Sequence, residues 1–273
     1  MKLAVTGKGG TGKSTIAGLL AHSFRNEGYT VLAVDADPDA NLAAAIGLPP
    51  EQTSSITPIS QQRELIKERT GANPKEFGQL FKMNPTVHDI PEKFCVEFRG
   101  IRLLVMGGVR KGGSGCACPE NVLLKNLLSD IILTRGEVVI VDMEAGIEHL
   151  GRATSKSIDL MLIVVEPGLR SIKTAEKILV MGEDIGIRNF GIIGNKIQNA
   201  DQKEWVKKQL PGKRILGMIS YHDIIRDSDL EQKPLIDMIN KEIKEEFNAV
   251  IRSVKSSLIG LEAGSQKQEA RIP

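Results

Sequence analysis

A glycine-rich segment near the start of the chain constrains the fold more than any other feature. Residues 7–15 read Gly-Lys-Gly-Gly-Thr-Gly-Lys-Ser-Thr and match the spacing G-x-x-x-x-G-K-[ST]. A short strand-like run, Leu3–Thr6, precedes the segment, and a helical pattern over Thr15–Glu27 follows it and ends at Gly28. A loop between a strand and a helix can wrap a phosphate with its backbone N–H groups, at the positive end of the helix. The segment therefore predicts a phosphate-binding strand–loop–helix unit.

The residues of this loop are predicted to bind a magnesium nucleotide. Lys13 would neutralise the β and γ phosphates, and the Ser14 hydroxyl would ligate Mg²⁺. The other loop residues would turn their backbone N–H groups toward the phosphates, and they are Gly9, Gly10, Thr11, Gly12 and Thr15. The alternative is a glycine-rich turn without a ligand, which the flanking strand and helix disfavour.

The rest of the chain alternates short apolar runs with helical patterns. Most runs are continuous, which is typical of strands buried on both faces of a parallel sheet. The runs are Leu3–Thr6, Val31–Val34, Ile101–Met106, Val138–Val141, Leu160–Val165, Phe190–Ile193 and Arg214–Ile219. A second helical pattern covers Ser171–Ile185 and ends at Gly186. This alternation predicts an α/β fold with a doubly wound, mostly parallel sheet and helices on both faces.

The chain of 273 residues is expected to form one domain over residues 1–263. Residues 48–93 are polar, with several Pro and Thr residues, and are predicted to form a helical insertion at one edge. Phe94–Phe98, Arg99-Gly100 and Ile101–Met106 predict a hairpin that adds an antiparallel edge strand. Residues 264–273 lack periodic apolar positions and are expected to be a disordered tail.

Composition indicates in which compartment the protein works and which partners it does not bind. The net charge of +2 is too small to indicate nucleic acid or an anionic membrane as a partner. No secretory signal pattern and no apolar run of membrane length is visible, and three cysteines suit a reducing compartment. We therefore expect a cytoplasmic protein that binds neither nucleic acid nor membrane. A late helical stripe is expected to pack in the core, with a membrane-binding helix as the alternative, and its residues are Ile243, Phe247, Val250, Val254 and Leu258.

Acidic residues stand where two of the predicted strands end. Asp35 and Asp37 follow the second strand, where a role of Asp37 or Asp39 as a helix N-cap is a competing interpretation. Val138–Val141 runs into Asp142, in the manner of a Walker B strand whose carboxylate holds Mg²⁺ through water. Gly146 follows shortly afterwards, and a glycine permits the backbone change that a γ-phosphate switch needs.

Lys8 is a second lysine inside the phosphate loop. The pattern Lys-Gly-Gly-x-Gly-Lys-[Ser/Thr] resembles the deviant Walker A motif of the MinD, ParA and nitrogenase iron protein class of P-loop NTPases. In that class the extra lysine crosses a dimer interface to the partner's nucleotide and acts as an arginine finger does. The resemblance implies that Lys8 and Lys13 are catalytic, and that hydrolysis is coupled to homodimer formation. A merely solvated Lys8 is the alternative.

The same resemblance assigns roles to polar residues at the strand ends. It implies that Asp37 orients or deprotonates the attacking water and that Asp35 holds a water bound to Mg²⁺. It also implies that Asn195 reads the adenine edge. Gln198 stands where GTP-binding proteins carry the Asp that accepts the guanine N–H groups. ATP and its product ADP, with Mg²⁺, are therefore expected rather than GTP.

Cys116 and Cys118 lie one residue apart in a glycine-rich loop. Two thiolates reach one soft metal ion but leave the four-donor shell of Zn²⁺ or Ni²⁺ incomplete. A two-fold axis would join the pairs of two subunits into a Cys₄ site, so the cysteines also predict a homodimer. The alternatives are two loop cysteines without function, or a small strained disulfide.

Four segments together resemble the CooC family of carbon monoxide dehydrogenase accessory ATPases, namely Lys8–Thr15, Asp35–Asp39, Cys116–Cys118 and Asp142–Arg152. The resemblance implies assistance to nickel insertion into carbon monoxide dehydrogenase or the related acetyl-CoA synthase. Cys116 and Cys118 would then hold Ni²⁺, or Zn²⁺ in vitro, while Cys95 has no implied role. The alternative function is an iron–sulfur cluster carrier or electron-transfer ATPase like the nitrogenase iron protein, although that protein separates its ligand cysteines widely in sequence.

Overall fold

Eight strands form one sheet in the computed structural model, which describes residues 1–74, 76, 78–107, 118–146, 150, 152–231 and 233–269. Their bounds are β1 Lys2–Gly7, β2 Val31–Asp35, β3 Val96–Phe98, β4 Ile101–Val105, β5 Val138–Asp142, β6 Leu160–Val165, β7 Phe190–Ile197 and β8 Ile215–Ser220. The strand order is β3-β4-β2-β5-β1-β6-β7-β8, and only the β3–β4 pair is antiparallel. The predicted doubly wound sheet and its antiparallel edge hairpin are both confirmed.

Helices cover both faces of this sheet. Their bounds are α1 Lys13–Asn26, α2 Leu42–Ala45, α3 Pro50–Ser55, α4 Arg63–Thr70, α5 Ile90–Phe94, α6 Pro119–Thr134, α7 Arg152–Lys156, α8 Leu169–Ile185, α9 Ala200–Gln209, α10 Asp223–Leu230, α11 Leu235–Met238 and α12 Lys241–Glu269, with a 3-10 helix at Ile59–Gln61. The segment 48–93 contains α3, the 3-10 helix, α4 and α5. Phe94 ends α5 instead of starting the hairpin strand, because Pro91 in the first turn starts a helix there.

The last helix extends past the predicted domain boundary. Residue 263 falls inside α12, which continues to Glu269, and the disorder of the tail stays a prediction. Gly264 is a poor helix former, but Gln266–Glu269 are good helix formers and the next proline is Pro273, so the sequence permits the helix to continue past the glycine. Residues 270–273 of the predicted tail lie outside the described residues.

Alternate residues of each strand pack on opposite faces of the sheet. In β1, Leu3 and Val5 pack with residues of α1 and α12, whereas Ala4 packs with residues of α6 and α8. The α12 stripe is buried in the first of these layers, as predicted, and its residues are Ile243, Phe247, Val250, Val254 and Leu258. Within the described part of the chain, we find no helix that is both long and apolar enough to cross a membrane.

The topology decides where a ligand can bind. All strands except β3 run in the same direction, so their carboxyl ends meet along one edge of the sheet. In open sheets of this kind, ligands bind outside that edge, where the order of the strands reverses. Here β1 lies between β5 and β6, and the glycine-rich loop leaves β1 at that edge.

Candidate functional site

The loop between β1 and α1 has the backbone that a phosphate cradle needs. Gly10 and Gly12 have φ values of 82° and 93°, in the left-handed region that glycine adopts without strain. Thr11 closes the turn, since its backbone N–H and its hydroxyl both donate to the Lys8 carbonyl oxygen, at 3.2 and 2.8 Å. Gly7 lies so close to β6 that a Cβ would stand 2.4 Å from the carbonyl oxygen of Val164. The loop is therefore held in one shape by contacts within the chain.

The buried lysine of the loop faces the end of β2. Lys13 is 7% exposed, and its Nζ lies 3.3 Å from Oδ2 of Asp37. Asp35 is fully buried and accepts the backbone N–H groups of Leu42 at 2.9 Å and Asp37 at 3.3 Å. Desolvation raises the pKa of Asp35 to about 6, although these hydrogen bonds act in the opposite direction. The structure thus brings Lys13, Asp35 and Asp37 together, as the sequence predicted.

Asp142 at the end of β5 completes this acidic side of the site. Both of its carboxylate oxygens are buried, and neither has a hydrogen-bond partner among the described residues. Desolvation raises the pKa of Asp142 to about 7, with Asp35 adding to the effect and the neighbouring Ser14 and Lys13 opposing it. A buried carboxylate without a partner is costly unless a cation compensates it.

The residues around the loop fit a magnesium nucleotide. Oxygen donors are the ligands that Mg²⁺ prefers, and it usually keeps several waters when it binds beside phosphates. Ser14 would ligate the ion directly, and Asp142 and Asp35 would hold it through water. Lys13 and the loop N–H groups would hold the phosphates, and Asp37, which lies beside Lys13, would orient the attacking water. When bound, the ion supplies positive charge against the charge that develops on the phosphates.

Backbone contacts tie the segments after β2 and β5 to their neighbours. The Thr6 hydroxyl donates to the Glu144 carbonyl at 2.8 Å, and the Ala36 N–H donates to the Asp142 carbonyl at 2.9 Å. Gly146, the predicted switch residue, is described, whereas residues 147–149 are not. A cavity of about 40 Å³ separates both segments from the start of α6, and its lining includes Ala36, Pro38, Asn121, Leu124, Glu144 and Gly146.

Lys8, the lysine predicted to act in trans, is bound within its own subunit. Its Nζ lies 3.0 Å from Oε1 of Glu166, which directly follows β6. Lys196, near the end of β7, donates to the Gly10 carbonyl at 2.6 Å and lies 3.9 Å from Oε2 of Glu166. Sequence reasoning did not single out Glu166 or Lys196 as site residues. The available signal was that Glu166 follows β6, the strand beside β1, and that Lys196 lies near the carboxyl end of β7, the next strand in the sheet.

Asn195 fastens the phosphate loop to β7. Its side chain is buried, its Nδ2 donates to the Thr11 carbonyl at 2.8 Å, and its Oδ1 accepts the Lys196 N–H at 2.9 Å. A Cβ on Gly12 would stand 2.3 Å from the same Nδ2. The amide therefore has a structural task in the loop, and its predicted contact with adenine stays a prediction.

A larger cavity extends from the loop along the sheet edge. Its volume is about 1000 Å³, which is sufficient for a small-molecule ligand. At one end it is lined by Gly12–Thr15 and Asn195, and at the other by residues that follow β8, among them Tyr221 and His222. The cavity thus joins the phosphate loop to the outer strands β7 and β8.

Only one cysteine of the predicted metal site lies in the described part of the chain. Cys118 is the half-buried N-cap residue of α6, while Cys116 lies outside the described residues. No group of three or more His, Cys, Asp or Glu residues within the described ranges is arranged to hold a metal ion. Cys95 is half-buried, and desolvation raises the pKa of its thiol to about 11. The Cys₄ site therefore stays a prediction.

The fold and the phosphate site define the class of protein. Residues 2–235 match the family model of the CobQ/CobB/MinD/ParA nucleotide binding domain, so the chain belongs to that family. The MinC:MinD cell division protein complex of Aquifex aeolicus contains a chain with the same fold, at a TM-score of 0.64 and 20% identity, covering 95% of this chain and 96% of that one. The chain is a P-loop ATPase of the MinD/ParA class.

Two proteins of similar sequence identify the family within this class. The carbon monoxide dehydrogenase accessory protein CooC of Rhodospirillum rubrum is 49% identical over 229 residues, which cover 84% of this chain and 87% of the relative. An uncharacterized ATP-binding protein of Methanocaldococcus jannaschii is 45% identical over 257 residues, which cover 92% of this chain and 98% of the relative. The chain therefore belongs to the CooC family, as its motifs predicted.

Proposed function

We propose that this chain is an ATP-hydrolysing metallochaperone that assists nickel insertion into carbon monoxide dehydrogenase, or into the related acetyl-CoA synthase, in the cytoplasm. Its cargo, Ni²⁺ or in vitro Zn²⁺, is held by Cys116 and Cys118 of both subunits of a homodimer. The name of the relative from Rhodospirillum rubrum supports the client enzyme. Coordination chemistry supports the dimer, because each subunit offers two thiolates to an ion that needs four donors.

The position of Cys118 carries this proposal. Cys118 caps α6, and its carbonyl accepts the N–H of Val122 at 3.1 Å. In the next turns of α6, Asn121 and Leu124 line the small cavity shared with the segments that follow Asp35 and Asp142. A displacement of either segment during the nucleotide cycle reaches the first turn of α6 and changes the position of Cys118. ATP binding or hydrolysis would in this way alter the affinity for the metal.

The nucleotide cycle uses the two loop lysines in different ways. Lys13 stays buried on the phosphates of its own subunit, beside Asp37. Lys8 is 38% exposed and leaves Glu166 when a second subunit presents its nucleotide. Hydrolysis then removes the γ-phosphate that both subunits contact, and the dimer returns to its starting state.

Metal binding by the two cysteines is the decisive test. Equilibrium dialysis with Ni²⁺ or Zn²⁺ should give about one ion per dimer, because four thiolates complete one shell. The double variant Cys116→Ala/Cys118→Ala should lose this ion. The matched control, Cys95→Ala, should keep it, because burial keeps the Cys95 thiol protonated. An unchanged stoichiometry in the double variant would contradict the proposal.

Iron reconstitution separates the proposal from its alternative. An iron–sulfur carrier would also bridge its subunits through cysteines, so loss of metal in the double variant does not distinguish the two. Anaerobic incubation with iron and sulfide, followed by absorption spectroscopy, does. A stable cluster that is reduced and reoxidised repeatedly would support the carrier, and its absence beside tight Ni²⁺ binding supports the metallochaperone.

A further inference from the structure

The positions of the acidic residues indicate which end of a bound nucleotide lies over which strands of the sheet. Asp35 and Asp142 are the last residues of β2 and β5, and Asp37 follows β2, so all three lie on one side of β1. Mg²⁺ and the terminal phosphates belong on that side, because the carboxylates there suit the ion and its waters. The α-phosphate and the nucleoside must then point the other way, toward β6, β7 and β8. From β1 to β8 there are three strand spacings, about 14 Å in all.

The lining of the large cavity begins on the acidic side, where it includes Asp37 and residues of α2 and α3. From there the cavity continues past Gly12 and Asn195 to the residues after β8. The buried amide of Asn195 already uses one N–H on the Thr11 carbonyl of the loop and one lone pair on the Lys196 N–H of β7. An amide has two of each, so Asn195 retains one of each for other partners. Because a donor and an acceptor together can satisfy adenine or a 6-oxopurine, selection of adenine requires a further polar group that faces the cavity.

His222 is such a group, and α12 holds it in place. His222 Nε2 lies 2.6 Å from Oε2 of Glu246. The other oxygen of Glu246, Oε1, accepts the backbone N–H of Ser220 at 2.9 Å and its hydroxyl at 2.7 Å. Glu246 is thus fixed at both oxygens. His222 lines the cavity, and its Nδ1 has no hydrogen-bond partner among the described residues.

We propose that His222, oriented by Glu246, is a specificity-determining residue that selects adenine over 6-oxopurines. A carboxylate only accepts hydrogen bonds, so Nε2 of His222 carries a proton toward Glu246, and in the neutral tautomer of the ring the lone pair is on Nδ1. The 6-amino group of adenine donates to that lone pair. The 6-oxo group of guanine or hypoxanthine carries lone pairs itself and is repelled. This inference rests on the ATPase class and is independent of the proposed metal site.

Calorimetric titration with MgADP and with the magnesium complex of inosine diphosphate tests the inference, because the two ligands differ in the 6-position group. The wild-type chain should bind MgADP with a dissociation constant about 10-fold lower than that for the inosine diphosphate complex. This is the difference expected when one good hydrogen bond is replaced by two facing acceptors. His222→Phe removes the acceptor, and the preference should fall to about 2-fold or less.

Glu246→Gln gives a result that a merely structural role would not produce. The Ser220 N–H still needs an acceptor, so the amide oxygen takes the place of Oε1 and the NH₂ group faces His222. The amide now donates to Nε2, the imidazole proton moves to Nδ1, and the group facing the cavity becomes a donor. The preference should therefore reverse toward inosine diphosphate. The control Glu245→Gln, at an exposed neighbour on α12, should behave as wild type.

Two results would overturn the inference. One is an unchanged MgADP preference in Glu246→Gln, and the other is an unchanged preference in His222→Phe. Circular dichroism establishes that each variant is folded. If Glu246→Gln does not fold, His222→Phe decides alone, because its side chain sits at the cavity wall and its binding of nucleotide phosphates is unaffected.

Discussion

At the residue scale, Asp142 shows how a binding site reduces the stability of the empty protein. Its folded pKa of about 7 lies above its ordinary value of 3.8, because burial disfavours the carboxylate. The folded state therefore gains most from Asp142 below about pH 4, where the group is protonated in both states. This contribution to the free energy of unfolding is lost as pH rises toward 7. Over that range the unfolded chain has already released the proton, whereas the folded chain must ionise a buried carboxyl.

Asp142→Asn should therefore stabilise the nucleotide-free protein at pH 8. The amide has no charge to desolvate, and the full pKa shift corresponds to at most about 4 kcal/mol. Thermal unfolding between pH 5 and pH 8 measures the effect, which should shrink toward pH 5. The same variant should lose the stabilisation that MgADP gives to the wild type. Asp184→Asn, at an exposed position of α8, is the control and should change neither property. A destabilised Asp142→Asn at pH 8 would contradict this account.

Residue contacts also mark the limit of what the sequence could predict. The motifs located Lys13, Ser14, Asp35, Asp37 and Asp142, because each stands in a local pattern of strand, loop and helix. The contacts of Lys8 with Glu166 and of His222 with Glu246 join residues from separate elements. Local patterns indicate that strand ends meet at one edge, but they do not say which side chain faces which. Those pairs follow from strand order and from the packing of α12, which only the structure gives.

At the element scale, α12 holds β8, the edge strand on the side of the sheet where the nucleoside is proposed to bind. It packs on β8, and Phe247, Val250 and Val254 join the layer formed with α1. The periodicity of its apolar residues was visible in the sequence and predicted burial correctly. Its length was not predicted, because Gly264 is a residue type that often follows the end of a helix, whereas α12 continues through it to Glu269. The same helix carries Glu246, so its packing also positions His222.

Phe247→Ala should destabilise the protein by about 3–5 kcal/mol, the usual cost of emptying a buried aromatic site. Phe247 is 3% exposed, so little of the space can be refilled by solvent. Urea unfolding of the nucleotide-free protein measures the change. Glu245→Ala on the exposed side of α12 should stay within about 0.5 kcal/mol of wild type. Equal stability of the two variants would mean that the stripe does not pack in the core in solution.

At the scale of the whole molecule, the proposed dimer depends on Lys8. Lys8 bonds to Glu166 in its own chain, and in the proposed mechanism it reaches the nucleotide of a second chain. The pair is partly exposed, and such ion pairs contribute about 0–1 kcal/mol, so a nucleotide presented by a partner can displace it. Hydrolysis is accordingly expected to depend on how many chains are paired, and not only on how many bind ATP.

The ATPase rate per subunit should therefore rise with protein concentration and level off once dimers dominate, as sedimentation velocity with MgATP would show. Lys8→Ala should lower the plateau by about 10³-fold, because a finger residue supplies charge only in the transition state. Glu166→Gln should reach the plateau at a protein concentration lower by no more than about 5-fold, since it frees Lys8 from one partly exposed contact. Lys203→Ala, at an exposed lysine of α9, should follow the wild-type curve. A wild-type rate that does not vary with concentration while the protein sediments as a monomer would show that each chain hydrolyses ATP alone, with Lys8 acting in its own subunit.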